Sequence, residues 1–243
     1  MHSLPEANNK GIVPQMKDNL ILRNAKQKLA RFDRLALHYN LVAKEVYHKR
    51  CSCVDPFARS FLQYIIAGLI SFDMGRMMGK GEDKYKMEDD GFGSRLKSKL
   101  QEIKPILTPL MKLSLTKIDL QQHKDAIVKA YDNLSANGNG ALNANKEHFH
   151  VGATKILHFL NPTLFIIVDS NAAEAFREGH NVKFRKSSPG YSAQRYIECM
   201  EWARRDILQY KREHPEGFEA LEWDTPITRI YDKLTFITGM DLK

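Results

Sequence analysis

Residues 148–177 read HFHVGATKILHFLNPTLFIIVDSNAAEAFR, and the fold is decided here. Val151 to Leu160 has the spacing of an amphipathic helix, and Asn161-Pro162 stops it. Leu164 to Val168 is a continuous apolar run, bounded by Pro162 and Asp169, the length of a buried strand. Asp169 then stands where a helix N-cap would stand, and Ser170 to Arg177 continues as a short helix. The run LFIIVD has no second strand to pair with anywhere in the chain. The expected class is therefore mostly α.

Upstream, Leu22, Ala25, Leu29, Phe32 and Leu35 recur at helical intervals within a stretch from Lys17 to Arg50. Asp55-Pro56 reads as a cap with proline in the first turn, opening a helix to about Met78. Residues 82–93 are an acidic loop. Arg95 to Leu113 is helical with a break at Pro105 and Pro109. Residues 118–134 form another helix. Ser135 to Asn145, SANGNGALNAN, reads as a linker. Downstream, residues 179–190 form a basic loop, Tyr191 to Arg212 a long helix and Thr225 to Thr238 a last one. In that last helix Ile230, Leu234 and Ile237 face inward. Residues 1–15 read as a flexible tail ahead of a single helical unit, 16–243.

The chain has 243 residues and a net charge of +8, from 37 Lys+Arg against 29 Asp+Glu. Charge of that size speaks to partners: nucleic acid first, an anionic surface second. The excess lies in residues 10–50, 91–117 and 181–214. Within the last segment Lys183, Arg185 and Lys186 lie in a Ser/Gly-bearing loop suited to phosphate contacts. Phe184, Tyr191 and Tyr196 stand close enough to stack on bases. The longest apolar run, Phe61 to Phe72, is broken by Gln63 and Ser71 and falls short of the roughly 20 residues a membrane span needs. No membrane contact is expected. The start lacks the apolar core of a signal peptide, so the cytoplasm is the expected location. Three cysteines imply no disulfide framework, and the lone Cys51-x-Cys53 is a poor metal site. His148, His150 and His158 with Glu147 do not make a convincing metal set either. No metal and no cofactor are expected.

The order Gly turn, helix, apolar run, Asp, helix resembles the core of the helix-hairpin-helix DNA glycosylases. His150-Val151-Gly152 stands where that superfamily has G-V-G. Val168-Asp169-Ser170-Asn171 stands where it has its aspartate motif, in the D-x-N form. The resemblance covers about 30 residues, 148–177. It implies a two-lobed helical domain, with one lobe about 57–135 and the other about 16–56 plus 146–243. It implies duplex DNA as partner, with base excision by hydrolysis of the N-glycosidic bond as the reaction. Asp169 would position water or balance the oxocarbenium ion. In members that form a Schiff base, a lysine follows the second Gly by two residues. That position here is Thr154, and Lys155 comes next, about 100° further round a helix. The DNA-contacting set would be His150, Gly152, Thr154, Lys155, Asn171, Lys183, Arg185 and Lys186.

A Gly turn at a helix start has its own physical case. It exposes unpaired backbone N–H groups at the positive end of the helix dipole, where a phosphate can bind without side-chain charge. Two other readings stand beside this one. A non-catalytic module would use the same turn to hold DNA. A helical ribonuclease of the HEPN kind would use Arg31 and His38, seven residues apart and nearly on one face if one helix spans both.

Overall fold

The computed structural model describes residues 19–84, 86–87, 91–184 and 192–243. The expected tail, and Arg185, Lys186 and Tyr191 of the basic loop, lie outside the described residues. Helices α1 (Ala25–Leu35), α2 (Leu37–Ser52), α3 (Arg59–Ser71), α4 (Gly75–Met78), α5 (Phe92–Leu107), α6 (Leu120–Ser135), α7 (His150–Leu160), α8 (Ser170–His180), α9 (Ala193–Glu213) and α10 (Ile227–Asp241) follow one another. The described residues contain no strand. Mostly α is correct.

Three breaks differ from the pattern in the sequence. Ala36, at φ −131°, separates α1 from α2. The expected helix to Met78 stops at Phe72. The Met74 amide bonds to Leu69 O and the Asp73 amide to Ile70 O, a Schellman pair that requires a left-handed residue. Asp73 takes that place at φ 59°. The same helix begins at Arg59 rather than beside Pro56. Asp55 instead closes a turn, accepting the Phe57 amide at 3.0 Å.

The 136–149 stretch is anchored rather than a free linker. Leu142 and Asn143 are buried, Gly138 N bonds to Lys146 O at 2.8 Å, and Ala144 N bonds to Met77 O at 2.7 Å.

One core cluster runs from Ile21 to Leu234 and takes in residues of both expected lobes. At its centre is the apolar run after α7. Leu164 through Val168 are all buried, yet the run pairs with no strand. Its first two amides, Leu164 and Phe165, bond back to Asn161 O, and beyond them side chains take over. His158 Nδ1 donates to Phe165 O at 2.6 Å, and Tyr196 donates to Ile166 O at 3.0 Å. Ile167 N donates to Asp232 at 2.9 Å, and Val168 N donates to Thr154 Oγ1 at 3.2 Å. Thr228 reaches back to the Pro162 carbonyl. Buried amides and carbonyls without partners are costly, so these side chains replace the missing ladder. The run keeps a fixed path, and that path sets the position of Asp169.

Candidate active-site cleft

Asp169 ends the buried run and caps α8. Its Oδ1 accepts the amides of Asn171 and Ala172, both at 2.9 Å. Both cap bonds go to Oδ1, so Oδ2 stays out of the cap. Asp169 is half-buried and lines a cleft of about 150 Å³. The cap reading and the cleft reading hold together.

Besides Ile167, Asp169 and Ala172, five elements close around this cleft. Phe32 comes from α1, Tyr39 from α2, and Phe72 and Asp73 from the Schellman turn after α3. Lys155 comes from α7, and Arg229, Asp232 and Phe236 from α10. Phe72 and Asp73 thus enter from the expected middle lobe and the other residues from the second. The break after α3 is what turns Phe72 and Asp73 inward. An uninterrupted helix to Met78 would not do so.

Lys155 is the second expected residue in the cleft. It is 5% exposed, and its Nζ donates to Phe72 O at 2.9 Å. Burial lowers its pKa to about 8, helped by Arg229 and opposed by the carboxylates of Asp169 and Asp73. The extra residue between Gly152 and the lysine therefore does not turn Lys155 away from Asp169. Fourteen residues along the chain, they share one cavity.

The walls are aromatic. Tyr39 stacks on Phe72 with centroids 5.1 Å apart. The Tyr39 hydroxyl donates to Asp73 Oδ2 at 2.5 Å. Burial, with this bond and the Asp73 charge, pushes its pKa up to about 12. The Arg229 guanidinium lies over two rings, its Cζ 5.0 Å from the Phe32 centroid and 5.1 Å from that of Phe72. Arg229 and Asp232 are each 4% exposed. Among the described residues, Arg229 Nε and Nη2 and Asp232 Oδ2 have no hydrogen-bond partner. Burial pushes the Asp232 carboxyl well above the usual carboxylate range, against the pull of Arg229 and the Ile167 amide.

Several expected DNA contacts are placed elsewhere. Gly152 lies within the first turn of α7 and not in a hairpin turn before it. A Cβ there would meet the Phe149 ring at 1.9 Å, so close packing is what requires glycine. Thr154 is 1% exposed and spends its hydroxyl on Val151 O and the Val168 amide, so it holds the buried run and does not reach DNA. His150 is half-buried, stacked on His148 at 4.7 Å and bonded to Tyr131. Burial and the His148 charge lower its pKa to about 4, so it is neutral near pH 7. Asn171 accepts from Lys243 at 2.6 Å. Lys183 is exposed. Tyr196 is buried and used by the Ile166 carbonyl, so it offers no ring to bases. His158 is fully buried.

The pair Arg31 and His38 does not share a helix. Arg31 lies on α1 in an ion pair with Asp241, and His38 lies on α2 beyond the Ala36 break. The one-face argument for a ribonuclease site fails there.

Arg229, Asp232 and Asp73 were not legible as site residues. Residues 227–240, ITRIYDKLTFITGM, carry a Thr228-Asp232-Thr235 polar stripe opposite Ile230, Leu234 and Ile237, and that pattern by itself reads as an ordinary amphipathic helix. No family model, no curated protein and no solved structure matches the chain.

Proposed function

We propose that the chain binds duplex DNA and excises a base, in the manner of a helix-hairpin-helix DNA glycosylase. One observation carries this reading: Asp169 and Lys155 line one cleft walled by Phe32, Tyr39 and Phe72. A base turned out of the helix needs flat apolar walls, and its sugar needs an anion near C1′.

The C1′–N bond breaks with its electron pair going to the base, which takes up a proton. Water adds to C1′ and gives up its proton. Asp169 Oδ2, outside the cap, balances the positive charge on the sugar and orients that water. Exposed cations such as Lys183 supply phosphate contacts at the surface.

The test is Asp169→Asn, which keeps an oxygen for the cap. Duplex binding should persist while release of base falls by about 100-fold or more, the scale of one lost electrostatic or acid–base contribution. Unchanged release would overturn the assignment of Asp169. The engagement of Oδ1 in the cap favours one second reading, a DNA-holding module without chemistry. It gains if wild type binds duplex and releases no base.

A further inference from the structure

Arg229 and Asp232 sit one turn apart on α10 and both line the cleft, with Arg229 Nε and Nη2 and Asp232 Oδ2 buried and without a hydrogen-bond partner among the described residues. Nε and Nη2 form one side-on edge of a guanidinium, two parallel N–H donors in a plane. The guanidinium lies over the rings of Phe32 and Phe72. Asp232 is equally fixed, because Oδ1 is tied to the Ile167 amide and Oδ2 is left over. A buried donor pair with no acceptor carries a desolvation penalty that a bound acceptor offsets. The site is thus set for a planar edge with two adjacent acceptors, next to a group that bonds a carboxyl oxygen.

We propose that this cleft selects a 6-oxopurine with an unsubstituted N7, Arg229 reading O6 and N7 and Asp232, ionised when the base is bound, accepting the neighbouring N1–H. The sequence of groups N7, O6, N1–H is acceptor, acceptor, donor. Hypoxanthine, xanthine and guanine present it. Adenine puts an amino donor at position 6, facing the guanidinium donors. 7-Methylguanine has no N7 lone pair, and 8-oxoguanine carries a proton on N7. Uracil and thymine offer one acceptor beside their ring N–H on that edge, which leaves one arm of the fork empty. The guanidinium-to-O6/N7 pairing is the one by which arginine reads guanine in DNA grooves. The proposal rests on the base-excision reading above and adds its substrate class.

The test uses the whole chain and free bases, with binding read by calorimetry or ligand-observed NMR. Hypoxanthine and guanine should bind within a few-fold of each other, and adenine and 7-methylguanine about 5- to 150-fold more weakly. Arg229→Lys keeps the charge and loses the fork, so that preference should vanish. Asp232→Asn keeps an oxygen for the Ile167 amide and puts a donor in place of Oδ2. It should weaken hypoxanthine more than adenine, and it serves if Arg229→Lys does not fold. Equal binding of adenine and hypoxanthine, no binding of any purine, or a preference intact in both variants overturns the proposal. A duplex holding a stable abasic-site analogue is titrated in parallel. Duplex binding without purine preference sinks the substrate class alone. Purine preference without duplex binding sinks the DNA reading alone.

Discussion

His158 Nδ1 donates to the Phe165 carbonyl at 2.6 Å, while its Nε2 accepts from the Tyr47 hydroxyl at 2.6 Å. The ring is fully buried, and these two bonds fix the neutral tautomer. Burial holds its pKa near 3, against 6.5 in the unfolded chain. The unfolded chain therefore takes up the proton first. The contribution of the neutral ring to stability is full above pH 6.5 and is lost as pH falls towards 3. His150, lowered to about 4, adds in the same direction. The urea midpoint should fall steadily below pH 6.5. In His158→Gln the midpoint should be lower at pH 7 and its acid slope flatter. An equal slope in both proteins assigns the acid loss to other groups.

Gly152→Ala gives a result whose sign is informative. In an open helix this change stabilises by up to about 1 kcal/mol. Here the new methyl enters the Phe149 ring, which is fully buried. Destabilisation of roughly 1–3 kcal/mol is expected, the usual cost of an overpacked core. Chemical denaturation at pH 7 measures it. A stabilised Gly152→Ala would mean that Phe149 swings away, and that glycine serves an approach from outside.

The helices were legible where apolar spacing and breakers agreed. Val151 to Leu160, with Asn161-Pro162 after it, needed nothing from the rest of the chain. The break at Asp73 was hidden, because a Schellman turn closed by aspartate rather than glycine leaves a weak mark in sequence. The LFIIV run read as a strand because five apolar residues demand burial, whatever satisfies their backbone. Its true partners, Thr154, Asp232 and Tyr196, come from three helices up to 65 residues away. Asp169 was readable as a local cap. That Lys155, Arg229 and Asp73 surround it is a tertiary fact with no local signature.

Binding to duplex DNA should depend steeply on salt. The chain carries a net charge of +8, and contact with five phosphates predicts a slope of about −4.5 in log affinity against log salt. Fluorescence anisotropy with a labelled duplex between low and physiological salt measures it. Lys183→Ala should weaken binding without changing which base is preferred, since an exposed lysine contacts backbone and not base edge. Affinity that is absent at low salt removes both DNA readings.

Lys155 offers the last test, through its lowered pKa of about 8. A lysine in water is almost wholly protonated until about pH 9, whereas half of Lys155 is a free amine near pH 8. On a duplex with a natural abasic site, that amine can add to the ring-opened C1′ aldehyde. Water leaves, and the resulting imine is reduced by borohydride to a stable secondary amine. Trapped adduct should be abundant at pH 8.5 and fall about tenfold for each unit below 8. Lys155→Arg keeps a cation in the cleft but supplies no such amine, so it should trap nothing. If Asp169 acts on the sugar before the aldehyde forms, Asp169→Asn should still trap on a preformed abasic site while failing to release base. Adduct that persists in Lys155→Arg shows another amine at work and separates Lys155 from the chemistry of the cleft.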